Sequence, residues 1–258
     1  MHDKNNLSVV PITLPTVQLG QKLAPVVMES LQKERVALAS GDVVAVASKV
    51  VSTCERRIVP LEKVKVTPTA RRLAKRFDID QRLTSVVVRE SDRIFGGVKG
   101  FLLTLKDGIL TANAGVDMKN APSGTAILWP KNADASARKL RRRLERRFRC
   151  RVGVEVVDSR VTPLRLGTTG LAIGLSGFSP VLDERNNKDL YGRRIKVTQT
   201  NVADDLASCA HLLMGEAANK IGVVVIRNAP ITHAASNGRH ALMDLEECLV
   251  GSSLMKPI

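Results

Sequence analysis

Phe101-Leu102-Leu103-Thr104-Leu105-Lys106-Asp107-Gly108-Ile109-Leu110-Thr111-Ala112-Asn113 is the stretch from which the fold is read. Two apolar runs flank a two-residue Asp-Gly loop, the pairing that tight hairpins select because both loop residues need positive φ. The second strand delivers the chain to Asn113-Ala114-Gly115-Val116-Asp117-Met118-Lys119-Asn120. A glycine, a carboxylate and two amides so close together suit a loop that holds a metal ion and the phosphates of a nucleotide. Two later segments offer further ligands: Val157-Asp158-Ser159, where an apolar run ends, and Met214-Gly215-Glu216, which closes an amphipathic run. The three acids meet only if the fold brings them together. The expectation is a divalent-metal site for nucleotide chemistry formed by Asp117, Asp158, Ser159 and Glu216, the three carboxylates being the catalytic set.

Working outward, Ser8-Val9-Val10 reads as a short strand, and prolines at 11 and 15 read as a loop or strand end. Leu19, Leu23, Val26, Val27 and Leu31 fit an amphipathic helix from about Val17 to Leu38. Gly41-Asp42 turns the chain into Val43–Ala47, a buried strand, with Ser48-Lys49 directly after it. Lys49 beside a serine there points at phosphate or is simply solvated; taken alone, solvation is favoured. Residues 67–94 read as two helices starting at Thr67-Pro68 and at Asp78 or Asp80. Ala126–Trp129 reads as a strand, and Val152–Val157 as another that ends in Asp158. Gly167, Gly170, Gly174 and Gly177 have no Walker or dinucleotide spacing, and close packing of backbone on backbone accounts for them. A helix from about Val202 to Gly215 has Val202, Leu206, Cys209, Leu213 and Met214 as its apolar stripe. Val223–Ile226 is a last buried strand, and the tail is polar, then helical near Leu242–Leu249.

The chain has 258 residues, 44% hydrophobic and 3% aromatic, so its core is built from Val, Leu, Ile and Ala. No apolar run is long enough to span a bilayer, and the polar start Met1–Asn6 lacks a signal-peptide core, so a cytoplasmic protein is expected. Cys54, Cys150, Cys209 and Cys248 form no C-x-x-C pair and read as buried free thiols; the histidines have no metal-ligand spacing either. The net charge of +15 suits polyanionic partners, nucleic acid or small phosphorylated ligands. Its densest part is Asp134–Arg149, a helix with Ala137, Leu140, Leu144 and Phe148 on one side and Arg138, Lys139, Arg141, Arg142, Arg143, Arg146 and Arg147 on the other. A solvated face is favoured over nucleic-acid binding, because no aromatic platform interleaves with the charges.

Several segments together resemble the coenzyme F420-0:L-glutamate ligase family. They are Gly41-Asp42-Val43-Val44 with Ser48–Ser52; Asn113–Asp117 with Asn120; Asp134-Ala135-Ser136-Ala137-Arg138; Ala172-Ile173-Gly174; Lys188–Arg193; and Ala203-Asp204-Asp205 through Leu213–Glu216. The resemblance runs from about 14 to 227 and leaves the tail, 234–258, without assigned chemistry; the whole chain, 1–258, is expected to be one ligase-like unit. It implies a mixed α/β (α+β) fold, neither Rossmann nor P-loop, in an intertwined homodimer. It also implies GTP-dependent amide formation: GTP phosphorylates the terminal carboxylate of coenzyme F420-0, and the amine of L-glutamate displaces the phosphate, with further glutamates joined through γ-linkages. Mg²⁺ or Mn²⁺ would be held by Asp117, Asp158, Ser159 and Glu216. By matching position, GTP would be cradled by Leu14, Pro15, Thr16, Val17, Ser48, Lys49 and Asn120, and by the loop Met214, Gly215, Glu216, Ala217, Ala218, Asn219, Lys220 and Ile221. Over 217–221 only backbone contacts carry over.

Two departures flank that site. Thr53 stands where many relatives have a nucleotide-binding lysine, and Arg160-Val161-Thr162-Pro163-Leu164-Arg165 replaces a Gly-Arg-Pro-Trp-Arg run, keeping the proline and last arginine. Acceptor and nucleotide are therefore less closely specified than the reaction. A basic nucleic-acid-binding protein and a non-catalytic relative are the competing readings. Retention of all three acids argues against the second, since buried acids are costly without a cation.

Overall fold

The chain, as a computed structural model, is described over residues 6–217, 219–235 and 238–255. The first half runs β1 (Ser8–Thr13), α1 (Leu23–Lys33), β2 (Val43–Ala47), α2 (Ser48–Cys54), β3 (Ile58–Pro60), α3 (Pro68–Phe77), α4 (Gln81–Glu90), β4 (Arg93–Val98), β5 (Phe101–Lys106), β6 (Ile109–Ala112) and β7 (Thr125–Ile127). The second runs α5 (Ala133–Phe148), β8 (Gly153–Val161), β9 (Thr168–Phe178), β10 (Leu182–Asp183), β11 (Gln199–Thr200), α6 (Val202–Met214), β12 (Ile221–Arg227), β13 (His233–Ala234) and α7 (Leu249–Met255). The result is a mixed α/β architecture with several sheets.

Six strands form the main sheet, in the order β1-β12-β2-β8-β9-β13. β2 and β8 are parallel neighbours; the other pairs are antiparallel. Both faces are covered, which is why β2 is apolar throughout instead of alternating with polar residues. Val44 and Val46 pack with Val154, Val156, Val223 and Val225 under α1 and α5, while Val43, Ala45, Val224 and Ile226 pack under α6. Each such valine stabilises the fold by roughly 1.5–3 kcal/mol relative to exposure. Glu155, paired in register with Ala45 and Leu175, is fully buried, and neither carboxyl oxygen has a partner among the described residues. Burial and the nearby Asp204 push its pKa well up, so it is held in the neutral form.

The hairpin that anchors the sequence reading is present as β5 and β6, with Asp107 and Gly108 both at positive φ. β4, not expected from sequence, completes a three-stranded sheet. This sheet, the β3–β7 pair and α3 and α4 enclose a separate core that includes Phe77, Val86, Val87, Leu102 and Val116. Helices α3 and α4 begin as expected, capped by the side chains of Thr67 and Asp80.

Elsewhere the structure corrects the sequence. Helix α1 starts only at Leu23, because Gly20 turns the chain at φ +80° and leaves Leu19 half exposed. β1 runs straight through Pro11; it is an edge strand, where a missing N–H costs no ladder bond. β8 does not end at Asp158 but continues to Val161 and folds back as β9. β9 is the glycine-punctuated stretch: a side chain on Gly170 would collide with the Ala207 carbonyl of α6, and one on Gly174 with Ala133 of α5. The buried stripe of α6 uses Ala203, Ala207 and Ala210, with Cys209 and Leu213 only half buried. β7 is shorter than Ala126–Trp129, β13 follows the strand read as last, and the tail helix lies at Leu249–Met255, not near 242–249. All four cysteines are free, but half buried, not buried. The polar start at 1–5 lies outside the described residues.

Candidate functional site

Trp129 ties the loop after the hairpin to the main sheet. Its indole lies against Gly115, at φ +68°, where any side chain would collide with the ring. The same indole N–H donates to Asp158 on β8. Asn113 and Ala114 are also left-handed, a strain held by two buried hydrogen bonds: Leu102 N donates to Asn113 Oδ1, and Ala114 N to Thr104 Oγ1, each at 2.8 Å. Asp117 then exchanges two backbone hydrogen bonds with Ile127, which fixes its Cα and turns its carboxylate toward α2.

Lys49, in the first turn of α2, meets that carboxylate: Nζ lies 2.8 Å from Asp117 Oδ2. Burial works against its ammonium charge, yet Asp158, Asp117 and Glu216 outweigh burial and hold its pKa above the ordinary value. Asp158 accepts from Ser159 N at 2.8 Å and from the Ser48 hydroxyl. Burial nevertheless dominates there and raises its pKa, with Lys49 the main opposing influence. At Asp117 burial is outweighed by Lys49 and Lys119, and the pKa is lowered.

Glu216 comes from the opposite wall. Gly215, at φ +66°, ends α6 and donates its N–H to His211 O, and the acid follows immediately. Glu216 Oε1 accepts from Thr168 Oγ1 at 2.9 Å and lies 3.0 Å from His211 Nε2; Oε2 is 3.0 Å from Lys119 Nζ. Against the effect of burial, these partners and Ser159 hold its carboxyl far below the usual range.

Between these walls lies a cleft of about 330 Å³. Leu14, Pro15, Thr16, Val17, Ser48, Lys49, Asn120, Asp158, Ser159, Met214, Gly215, Glu216, Ala217, Lys220 and Ile221 line it, and Asp117 stands behind Lys49. Three of the four expected metal-ligating residues, Asp158, Ser159 and Glu216, line the cleft, and Asp117 reaches it only through Lys49; the expected nucleotide-binding residues line it with two exceptions. Asn219 is not part of the wall, and Ala218 lies outside the described residues. Thr53 lines the cleft but donates its hydroxyl to Lys49 O at 2.8 Å, so it offers no charge there.

The donor types, acid oxygens and a hydroxyl, fit a hard divalent cation. Among the described residues, however, no three His, Cys, Asp or Glu side chains are grouped to share one ion; Lys49 and Lys119 supply the counter-charge instead. Sequence alone does not point to His211, Trp129, Lys119 or Thr168 as site residues. His211 carried a faint signal, five residues before Glu216 across a helix end; the others become visible only once the strands are in register. A second groove, of about 480 Å³, lies between α1 and α5, with Arg35, Arg147 and Phe148 among its walls. Among the described residues no helix is long and apolar enough to cross a membrane.

Comparison with known proteins places this cleft in context. The family model of F420-0:gamma-glutamyl ligase matches residues 11–228. The coenzyme F420:L-glutamate ligase of Methanopyrus kandleri is 40% identical over 223 residues, 86% of this chain and 86% of that protein. The enzyme of the same name from Methanocaldococcus jannaschii is 35% identical over 246 residues, covering 95% and 97%. That from Methanothermobacter thermautotrophicus is 34% identical over 226 residues, covering 87% and 90%.

Proposed function

From the premise that the chain belongs to the F420-0:gamma-glutamyl ligase family, we propose that it joins L-glutamate to coenzyme F420-0 at the expense of GTP, working in the cytoplasm as a homodimer. The observation that supports this reading is that Lys49, Asp158, Ser159 and Glu216, from three segments far apart in sequence, line one cleft, with Asp117 of a fourth segment paired to Lys49. In the first step a carboxylate oxygen of the acceptor attacks the γ-phosphorus of GTP, the bond to GDP breaks, and an acyl phosphate forms. In the second the amine of glutamate attacks the acyl carbon, inorganic phosphate leaves, and an amide remains. Further glutamates follow by the same two steps through γ-linkages.

Such transfer is mostly a matter of position and charge. Lys49, kept protonated by the acids around it, faces phosphate as a fixed cation. Ser48, Asn120 and the backbone of Met214–Ala217, Lys220 and Ile221 enclose the nucleotide, while Leu14–Val17, hydrogen-bonded to Lys220 through Leu14 N, exclude water beside them. Asp117, Asp158, Ser159 and Glu216 would hold Mg²⁺ or Mn²⁺, which when bound neutralises charge on the phosphoryl group in transit.

A second reading keeps the reaction and changes the acceptor or nucleotide. It is favoured by Thr53, whose hydroxyl is turned back onto α2, and by the altered 160–165 hairpin tip. One experiment separates the readings: the protein is incubated with F420-0, L-glutamate, Mg²⁺ or Mn²⁺, and either GTP or ATP, and products are read by mass spectrometry. Glutamylated coenzyme with GTP is expected. Product with ATP alone moves the assignment to the second reading, and no product with either nucleotide overturns the first.

A further inference from the structure

Helix α5 carries a charge pattern that the ligase cleft does not use. Its inward side is complete: Ala137, Leu140 and Leu144 are buried under the main sheet. Arg141 also belongs inward, its Nε on Ser176 Oγ at 3.1 Å and its Nη1 on Glu145 at 3.0 Å. That contact consumes Glu145, the only acid in the middle and last turns of the helix. What remains outside is two rows, Arg138-Arg142-Arg146 and Lys139-Arg143-Arg147, each stepping by four residues and all exposed. None of the six has an acidic partner within ion-pair distance among the described residues. Like charges four apart on a helix repel, so folding does not call for this arrangement.

We propose that the outer face of α5 binds the phosphate backbone of duplex nucleic acid, without sequence selection, independently of the ligase cleft. Each row extends over about 12 Å at 1.5 Å per residue, several phosphate steps along a strand at about 3.4 Å each. The groove beside α5 continues the positive surface through Arg35. Glu29 of α1 is an acid on the wall of the same groove as Arg147 and forms no ion pair with the rows among the described residues. Single strands are disfavoured because the face has no open stacking platform: Phe148 is half buried, with the Arg147 guanidinium 5.7 Å above its ring. A lipid surface is disfavoured because no large apolar side chain of α5 is exposed to enter it.

The test uses fluorescence anisotropy of the full chain with labelled 20-base-pair DNA and RNA duplexes, from about 50 to 200 mM salt. Six phosphate contacts predict a loss of affinity of about a thousandfold over that range, and Arg138→Gln, Arg142→Gln and Arg146→Gln together about fortyfold, as three contacts remain. The triple variant also binds at least tenfold more weakly at low salt, while its circular dichroism is unchanged, glutamine being a comparable helix former. A matched control removes the same charge from α3, by Arg71→Gln, Arg72→Gln and Lys75→Gln, and leaves binding within about threefold. Duplex binding lost from α5 and kept in the α3 control supports the proposal, and the DNA and RNA arms identify the preferred duplex. No duplex binding at low salt, equal losses in the two variants, or capture by phosphatidylserine vesicles without duplex binding overturns it.

Discussion

Lys49 is the residue on which the cleft turns, because three acids from three other segments share its charge. Replacing it by alanine is expected to weaken GTP binding by roughly 1–3 kcal/mol, the scale of one charged hydrogen bond; an unchanged dissociation constant by calorimetry would place the nucleotide elsewhere. Asp117→Asn and Glu216→Gln should leave the fold intact and abolish metal-dependent turnover, and wild-type activity in both would sink the metal assignment. These acids stand out in the sequence because each follows an apolar segment beside a glycine or hydroxyl, although at Asp158 the strand runs on to Val161. Lys49 read alone as a solvated residue and, through the family resemblance, as a nucleotide contact; in the structure its Nζ lies 2.8 Å from Asp117. Trp129 was invisible as a site residue, since its role depends on two segments meeting: it leaves no room at Gly115 and orients Asp158. Cys54 makes a plainer case. Burial and Glu55 push its thiol up to about 11, so iodoacetamide should label it slowly at pH 7.5 and faster as pH rises toward that value.

Among the elements, those with a clear period and a cap were legible, and those shaped by a neighbour were not. β2, α3, α4, α5 and the β5–β6 hairpin carry their own signals in capping residues, turn residues and apolar spacing. β9 does not: its glycines interrupt any apolar pattern because two helices press on the strand from opposite sides. Gly170→Ala should therefore push α6 away from β9, costing about 1–3 kcal/mol as overpacking does and lowering turnover by displacing His211 and Glu216. Wild-type stability in urea would show that the helix gives way freely. A second junction links the smaller unit to the cleft. Glu90, at the end of α4, accepts from Arg57 at 2.7 Å and lies 3.4 Å from Lys106, and Arg57 also donates to the Trp129 carbonyl at 2.9 Å. Burial raises the Glu90 carboxyl, but Arg57 and Lys106 outweigh it and leave its pKa below the ordinary 4.5. A lowered folded pKa means the contribution is complete above the ordinary value and fades as acid protonates the group in the folded state. Glu90→Gln should thus cost about 1–2 kcal/mol at pH 7, with Arg57 a quarter exposed, and the difference from wild type should shrink as the pH falls below the ordinary 4.5. A difference that persists in acid would assign the cost to packing instead.

At the scale of the molecule, three apolar cores hold the chain together, yet a set of large side chains stays outside all of them. Leu164 and Leu166 at the β8–β9 turn are fully exposed, as is Leu190, with Tyr191 and Val197 nearly so, on the segment between β10 and β11. Singly such residues need no explanation, but here they concentrate on two projecting segments, one of them next to Asp158 and Ser159. The proposed homodimer gives them a partner. A stable interface buries on the order of 1,600 Å², to which these exposed side chains would contribute. Light scattering at tens of micromolar should therefore report twice the monomer mass of 28.0 kDa. Leu164→Ser with Leu166→Ser should move the mass toward the monomer without changing circular dichroism, because neither side chain touches a core. If the partner's arm also covers the cleft, the same variant loses GTP-dependent turnover as it dissociates, and raising protein concentration restores both together. A wild-type mass of 28.0 kDa, or a double variant that stays dimeric, would remove the reason for these exposed leucines and with it the homodimer.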